Sequence, residues 1–204
     1  DHLHWTNPMD ANRMVALSPD GRYLIERARD EPITRNEEYR KDQPITVFDL
    51  VTGQQVSSLV VQTTLCKQIS ADGCFFVTGG RDGVVEVFDL HSGAKLHNWK
   101  DHQDDVYALA ISPDSRFAFS AGGVVGNNRS KDTTIRVWDL EHGACLKQLE
   151  GHIKRVESMA VSPDGRYLLS GGEDDFLILW ELDWEYEFPE PAGWDDSARG
   201  YLES

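Results

Sequence analysis

The chain has 204 residues, room for one domain or two, and its 40% hydrophobic and 27% charged residues are the balance of an ordinary globular protein, neither disordered nor fibrous. Twenty basic against 35 acidic side chains leave a net charge of −15, which repels a phosphate backbone and disfavours non-specific nucleic-acid binding. No apolar run approaches the ~18 residues of a membrane span, and Cys66, Cys74 and Cys145 stand in no metal-ligand or redox spacing, which points to reduced thiols and a cytoplasmic location.

The first residues, DHLHWTN within 1–12, read as the remnant of an earlier unit, and an opening on Asp1 rather than Met suggests a chain cut from a longer protein. A short alternating segment, VALS, then leads into SPDGRYL at Ser18, an inserted stretch over about 27–41, and ITVFDLVTG ending at Gly53. The same order returns as CKQIS, SADGCFF at Ser70 and VEVFDLHSG ending at Gly93. It returns again as VYALAIS, SPDSRFA at Ser112, a second insertion over about 121–131 and IRVWDLEHG ending at Gly143. A fourth pass runs ESMAVS, SPDGRYL at Ser162 and LILWELDWE, which departs from the pattern in its last four residues.

Self-similarity at a fixed period is the mark of a repeat architecture. The aromatics Phe48, Phe88, Trp138 and Trp180 are spaced 40, 50 and 42 residues apart. Within each unit the apolar residues alternate with period two and every break carries turn residues, so each unit predicts strands a, b, c and d of an antiparallel meander. A single meander of this kind leaves two apolar faces. Stacking against further copies, most simply around an axis, covers them.

The runs EGHIKRVESMAVSPDGRYLLSGGEDDFLILW and DHQDDVYALAISPDSRFAFS with DTTIRVWDLEHG are similar to WD40 repeats of a β-propeller, and the likeness extends over about residues 13–182. It implies an all-β fold of four four-stranded antiparallel blades, expected to be a partial arc of a larger ring: blade 1 over 13–60, blade 2 over 61–100, blade 3 over 101–150 and blade 4 over 151–182. The resemblance further implies a hydrogen-bonded chain of His, Ser or Thr, Asp and Trp inside a blade. Two blades match it, with His102, Ser120, Asp132 and Trp138, and with His152, Ser170, Asp174 and Trp180. Blade 2 keeps Thr78 and Asp82 but has Val60 and Phe88 at the other two places. Blade 1 has Pro8, Glu26, Asp42 and Phe48 there, so these two blades are expected to depend on apolar packing.

Catalysis has no visible seat. The His and Asp residues recur at the same place in two repeats instead of converging once, as structural groups do. His142-x-x-Cys145 lies in a turn with no second ligand pair, so no metal is expected. Gly122, Gly123 and Gly126 lack the Lys-Ser or Lys-Thr of a phosphate loop and open no helix, so no cofactor is expected either.

The interaction surface is expected where the repeats differ in length. Both insertions fall between strands b and c, and in a meander the b–c and d–a connections leave on one side. Residues 27–41 carry Arg27, Arg29, Arg35, Arg40 and Lys41 against four acids, and 121–131 carry Arg129 and Lys131 with none. Arg81, Lys154 and Arg155 follow on the same side, with Asp104, Asp105 and Asp175 diluting the positive field. Such a face suits a protein or peptide partner, acidic or phosphorylated, because arginine binds carboxylate and phosphate bidentately.

The last 22 residues, 183–204, hold seven acids, one base and five aromatics among prolines, and are expected to cap the last blade. They resemble the segment closing WD40 arrays in large bacterial proteins, some with a Ser/Thr kinase or NTPase domain before the propeller, which gives an alternative reading as a regulatory C-terminal domain. The reading that results is a non-enzymatic, cytoplasmic protein-interaction scaffold. It also includes self-association through the open ends of the arc, since uncovered sheet faces are prone to association.

Overall fold

A computed structural model of the chain describes residues 15–27, 43–62, 64–124 and 130–182. Most of the two expected insertions, 28–41 of 27–41 and 125–129 of 121–131, together with the opening remnant and the C-terminal cap, lie outside the described residues. The first sheet contains β1 (Val15–Leu17), β2 (Tyr23–Arg27), β3 (Gln43–Asp49) and β4 (Gln54–Val61). The second contains β5 (Thr64–Ile69), β6 (Phe75–Gly80), β7 (Val85–Asp89) and β8 (Lys95–Trp99). The third contains β9 (Val106–Ile111), β10 (Phe117–Gly122), β11 (Ile135–Asp139) and β12 (Cys145–Leu149), and the fourth contains β13 (Val156–Val161), β14 (Tyr167–Gly172) and β15 (Leu177–Glu181). Each sheet is ordered as it is written, with antiparallel neighbours, and the fourth has three strands among the described residues.

The Ser-x-Asp turns hold β-strands a and b together by the same three contacts each time. The serine hydroxyl donates to the aspartate two residues on and accepts the N–H five residues on, from Tyr23, Phe75, Phe117 and Tyr167 at 2.8, 2.8, 3.0 and 2.9 Å. The aspartate in turn accepts the N–H of Arg22, Cys74, Arg116 or Arg166. The turn closes through a left-handed residue, a glycine in three blades (Gly21, Gly73 and Gly165) and Ser115, at φ 63°, in the third.

Apolar side chains on the two faces of each sheet build a separate core at each junction. Tyr23, Ile25, Ile45 and Val47 of the first sheet meet Phe76 and Phe88 of the second. Val77, Val85 and Val87 meet Ala118 and Trp138 of the third. Phe119, Ile135 and Val137 then meet Val156, Leu168, Met159 and Trp180 of the fourth. The first strands lie side by side, β1 on β5, β5 on β9 and β9 on β13, so they form the inner wall of an arc. A register shift precedes the aromatic of strand c in each of the first three sheets, at Val47/Phe48, Val87/Phe88 and Val137/Trp138, which adds twist at the outer edge.

Polar links cross the junctions. Trp99 at the end of β8 stacks on Trp138, ring centroids 4.3 Å apart and nearly parallel, while its indole N–H donates to the Gly143 carbonyl at 2.9 Å. His97 is stacked with Trp99 as well, ring centroids 5.5 Å apart. The Tyr23 hydroxyl meets His91 Nε2 at 3.1 Å, and the Ser115 hydroxyl accepts the Asp72 N–H at 3.2 Å.

Candidate functional site

Two candidate regions follow from the sequence, the buried His–Ser–Asp–Trp chains and the face carrying the b–c and d–a connections. In the third sheet, Trp138 Nε1–H donates to Ser120 Oγ at 2.7 Å, and the Ser120 hydroxyl meets His102 Nε2 at 2.7 Å. His102 Nδ1 stands 3.0 Å from Asp132 Oδ2, and Arg136 joins the chain there, its Nη2–H donating to the same carboxylate oxygen at 3.0 Å. In the fourth sheet the same atoms connect Trp180, Ser170, His152 and Asp174 at 2.9, 2.8 and 2.8 Å. The order Ser–His–Asp is that of a hydrolase triad, but Ser120 and Ser170 are fully buried and each hydroxyl oxygen is occupied by an indole N–H, so no substrate carbonyl can reach it.

The carboxylates are charged members of these chains. Burial would raise the Asp132 pKa, but bonds from His102, Thr134 and Arg136 outweigh it and hold the carboxyl well below the usual range. Asp174 is lowered in the same way, against burial, by the Ile153 N–H, His152 and the Phe176 N–H.

The second sheet solves the same problem with other residues. Asp82 is exposed at φ 56° and its backbone N–H, not its carboxylate, is engaged, donating to Asp105. The buried carboxylate here is Glu86, which accepts the Gln62 N–H at 2.8 Å and pairs with Lys95. The expectation that this blade depends on apolar packing therefore holds only in part, and Val60, expected at the place of the histidine, lies instead within β4, paired with Pro44, so among the described residues no histidine draws Asp82 inward. The Glu86–Lys95 pair was not legible, because alternation marks a strand c position facing its neighbours as polar without saying that a strand d lysine lies opposite.

On the b–c face, the 3-10 turn Arg81–Gly83, the segment Gln103–Tyr107 and the start of β13 come together. The first two border a concavity of about 460 Å³ lined by Arg81, Asp82, Gln103, Asp104, Asp105, Tyr107 and Val124. Arg81 Nη1 lies 3.9 Å from Asp105 Oδ2, and the Tyr107 hydroxyl reaches the same oxygen at 3.4 Å. The Arg155 guanidinium packs over the Tyr107 ring, 4.5 Å from its centroid, and ion-pairs with Glu157 and Glu173. Lys131 is exposed and Lys154 partly so. Arg29, Arg35, Arg40, Lys41 and Arg129 lie outside the described residues, as does the side chain of Arg27, whose backbone ends β2.

Two of the basic residues picked from the sequence, Arg81 and Arg155, are thus already engaged with carboxylates. Among the described residues of this face, Asp82, Asp104, Asp105, Glu157, Glu173 and Asp175 outnumber Arg81, Lys131, Lys154 and Arg155. Tyr107 is the aromatic that sequence reasoning passed over. Its outward position in VYALAIS, directly after two aspartates, was the available signal.

Other reactive groups are muted. Burial pushes the Cys66 thiol up to about 12, so it is not a nucleophile at neutral pH, and all three cysteines are free thiols. Among the described residues no group of three or more His, Cys, Asp or Glu side chains is placed to hold a metal ion.

Consecutive four-stranded meanders sharing junction cores and an inner wall of first strands define a propeller-type repeat protein. The chain belongs to the WD40 repeat family: the family described as WD domain, G-beta repeat matches residues 47–89, 93–139 and 143–181. Among individual proteins, the chain is similar to WD repeat-containing protein 91 of Danio rerio, 33% identical over 57 residues, 28% of this chain and 8% of that protein. It is also similar to a WD repeat-containing protein 3 homolog of Dictyostelium discoideum, 26% identical over 80 residues, 39% of this chain and 8% of that one. Pre-mRNA-processing factor 19 of Dictyostelium discoideum is 29% identical over 83 residues, 39% of this chain and 16% of its own length. The matched stretch is thus a small part of each relative.

Proposed function

We propose that the chain is a protein-interaction scaffold whose working surface is the face bearing the b–c and d–a connections. The observation that carries this reading is the division of labour between inside and outside. The residues with catalytic chemistry are consumed in closed chains within the third and fourth sheets, while a concavity with an aromatic wall and several charges opens on the loop face. Tyr107 is the anchor: amphipathic, held by Arg155 on one side and Asp105 at its hydroxyl, and so presented at small entropic cost on binding. The finer reading is an acidic or phosphorylated segment, engaged by Lys131 and Lys154 beside that anchor.

The test is capture of binding proteins by the wild-type chain, Tyr107→Ala, Lys131→Glu with Lys154→Glu, and His142→Ala in a c–d turn on the opposite side. Proteins lost with Tyr107→Ala and kept with His142→Ala support the face, and loss with the charge reversal supports an acidic partner. Equal capture by all four sinks the assignment of the face. Capture of nucleic acid with steep loss in salt would favour instead a second, less favoured reading, nucleic-acid binding through the basic insertion loops.

A further inference from the structure

The b–c connections of the loop face close in two different ways. Where the connection is short, the turn satisfies itself through its own backbone. In the second sheet the Gly80 N–H donates to the Val84 carbonyl and the Val84 N–H to that of Arg81. In the fourth the Asp175 N–H donates to the Gly172 carbonyl and the Gly172 N–H to that of Phe176. In the third sheet the insertion separates the two limbs, and among the described residues no such backbone bond closes the turn. The returning limb, Ser130–Asp132, brings three donors that need another acceptor.

That acceptor is one oxygen of Asp104. Asp104 Oδ2 accepts the Ser130 hydroxyl at 2.9 Å, the Lys131 N–H at 2.6 Å and the Asp132 N–H at 2.9 Å. The tie is reciprocal, because Asp132 Oδ2 accepts the Gln103 N–H at 3.1 Å while also meeting His102. Residues 102–104 and 130–132 are thus joined from both sides, and the exposed Lys131 stands between two anchored neighbours. The outgoing limb is fixed one residue further on: the Gly123 N–H donates to the Asp105 carbonyl at 3.0 Å, and a Cβ on Gly123 would lie 2.7 Å from Ser130 Oγ, so the two limbs touch. Two residues after its histidine the fourth sheet has Lys154 in place of Asp104, and its short turn needs no such acceptor.

We propose that Asp104 is a positioning residue of the loop face, which fixes the returning limb of the insertion and so presents Lys131 to an acidic segment of the partner. The proposal rests on the reading of that face as the binding surface and adds how its lysine is held. Through space the Asp104 charge opposes an acidic partner, whereas its bonds to the backbone favour binding by removing the cost of ordering Lys131. The two contributions have opposite signs, so substitutions can separate them.

Asp104→Asn removes the charge and keeps a carbonyl oxygen at the same place, while Asp104→Ala removes both. The probe is a fluorescein-labelled hexaglutamate peptide, its binding to the whole chain read by anisotropy at low ionic strength. Lys131→Ala is expected to weaken binding by roughly 3- to 5-fold, and Asp104→Ala by about as much although it removes a negative charge. Asp104→Asn should bind the probe at least as tightly as wild type. Asp104→Ala added to Lys131→Ala should cause no further loss, a result that general loosening of the fold would not give. Tighter binding by Asp104→Ala, weaker binding by Asp104→Asn, or equal loss from Asp104→Ala in both backgrounds overturns the proposal. Without any ligand, hydrogen exchange at the Lys131 and Asp132 amides should speed up roughly 10-fold or more in Asp104→Ala and far less in Asp104→Asn. Unchanged exchange overturns the positioning role alone. A wild type that does not bind the probe, with exchange altered as expected, sinks the acidic-partner reading and the role of Lys131 with it.

Discussion

Ser115 shows how a single residue serves two sheets. Its neighbours in the repeat are glycines because the turn needs a left-handed residue, and a side chain there costs about 1 to 2 kcal/mol. The serine offsets that strain by accepting the Asp72 N–H of the preceding sheet. Ser115→Ala keeps the strain and loses the bond, so it should destabilise by about 1 kcal/mol in urea melts. Ser115→Gly loses both and should stay within about 0.5 kcal/mol of wild type. The S-P-D-S spelling was readable in the sequence as a turn, but its bond across the junction was not, since it depends on how closely two sheets approach.

Asp132 and Asp174 connect the same scale to pH. Both carboxyls are held below the usual value of 3.8 in the folded chain, so the folded state binds their protons less readily than the unfolded state. Their contribution to stability is complete above that value and is lost as pH falls from it towards the folded values. The melting temperature should therefore be flat from neutral pH to about pH 5 and fall below about pH 4. Asp132→Asn should lower the neutral plateau and make the acid limb shallower, without abolishing it, because the turn aspartates Asp72 and Asp89 are lowered too.

At the scale of elements, the b–c turn of the second sheet is one of the points of closest approach between sheets. Gly83 is left-handed at φ 74°, and a Cβ there would stand 1.9 Å from the His102 carbonyl oxygen. Gly83→Ala forces the turn away from the residue that opens the third sheet's chain, and should cost about 2 to 4 kcal/mol in chemical denaturation. A variant as stable as wild type would mean that the two sheets are less closely joined than described. Period-two alternation and the repeated turns made the strands of all four sheets readable, because each carries its own local signal. The partner of each sheet face was readable only as a class. Trp99 on Trp138 is an example: one ends a strand d and the other a strand c, and their contact arises from the rotation between sheets.

For the whole molecule, the frame and the face differ in how much the sequence could say. The His102 and His152 chains follow from a recurring motif in which His and Ser are 18 residues apart both times, and their geometry repeats because the register repeats. The loop face depends on non-repeating residues. Its basic residues were visible in the sequence, whereas the pairing of Arg81 with Asp105, and of Arg155 with Glu157 and Glu173, follows from distances between segments 18 to 24 residues apart or facing each other along one strand. The result is a surface with less free positive charge than its loops suggested and an aromatic centre they did not announce.

The most direct test of a rigid frame that binds through its loop face is hydrogen exchange of the chain with and without a captured partner. The expected outcome is new protection at Gly80–Val84 and Gln103–Tyr107, with no change at the opposite turns Val51–Gly53, His91–Gly93 and Glu141–Gly143. Protection confined to those opposite turns, with the concavity at Tyr107 unchanged, would contradict the account.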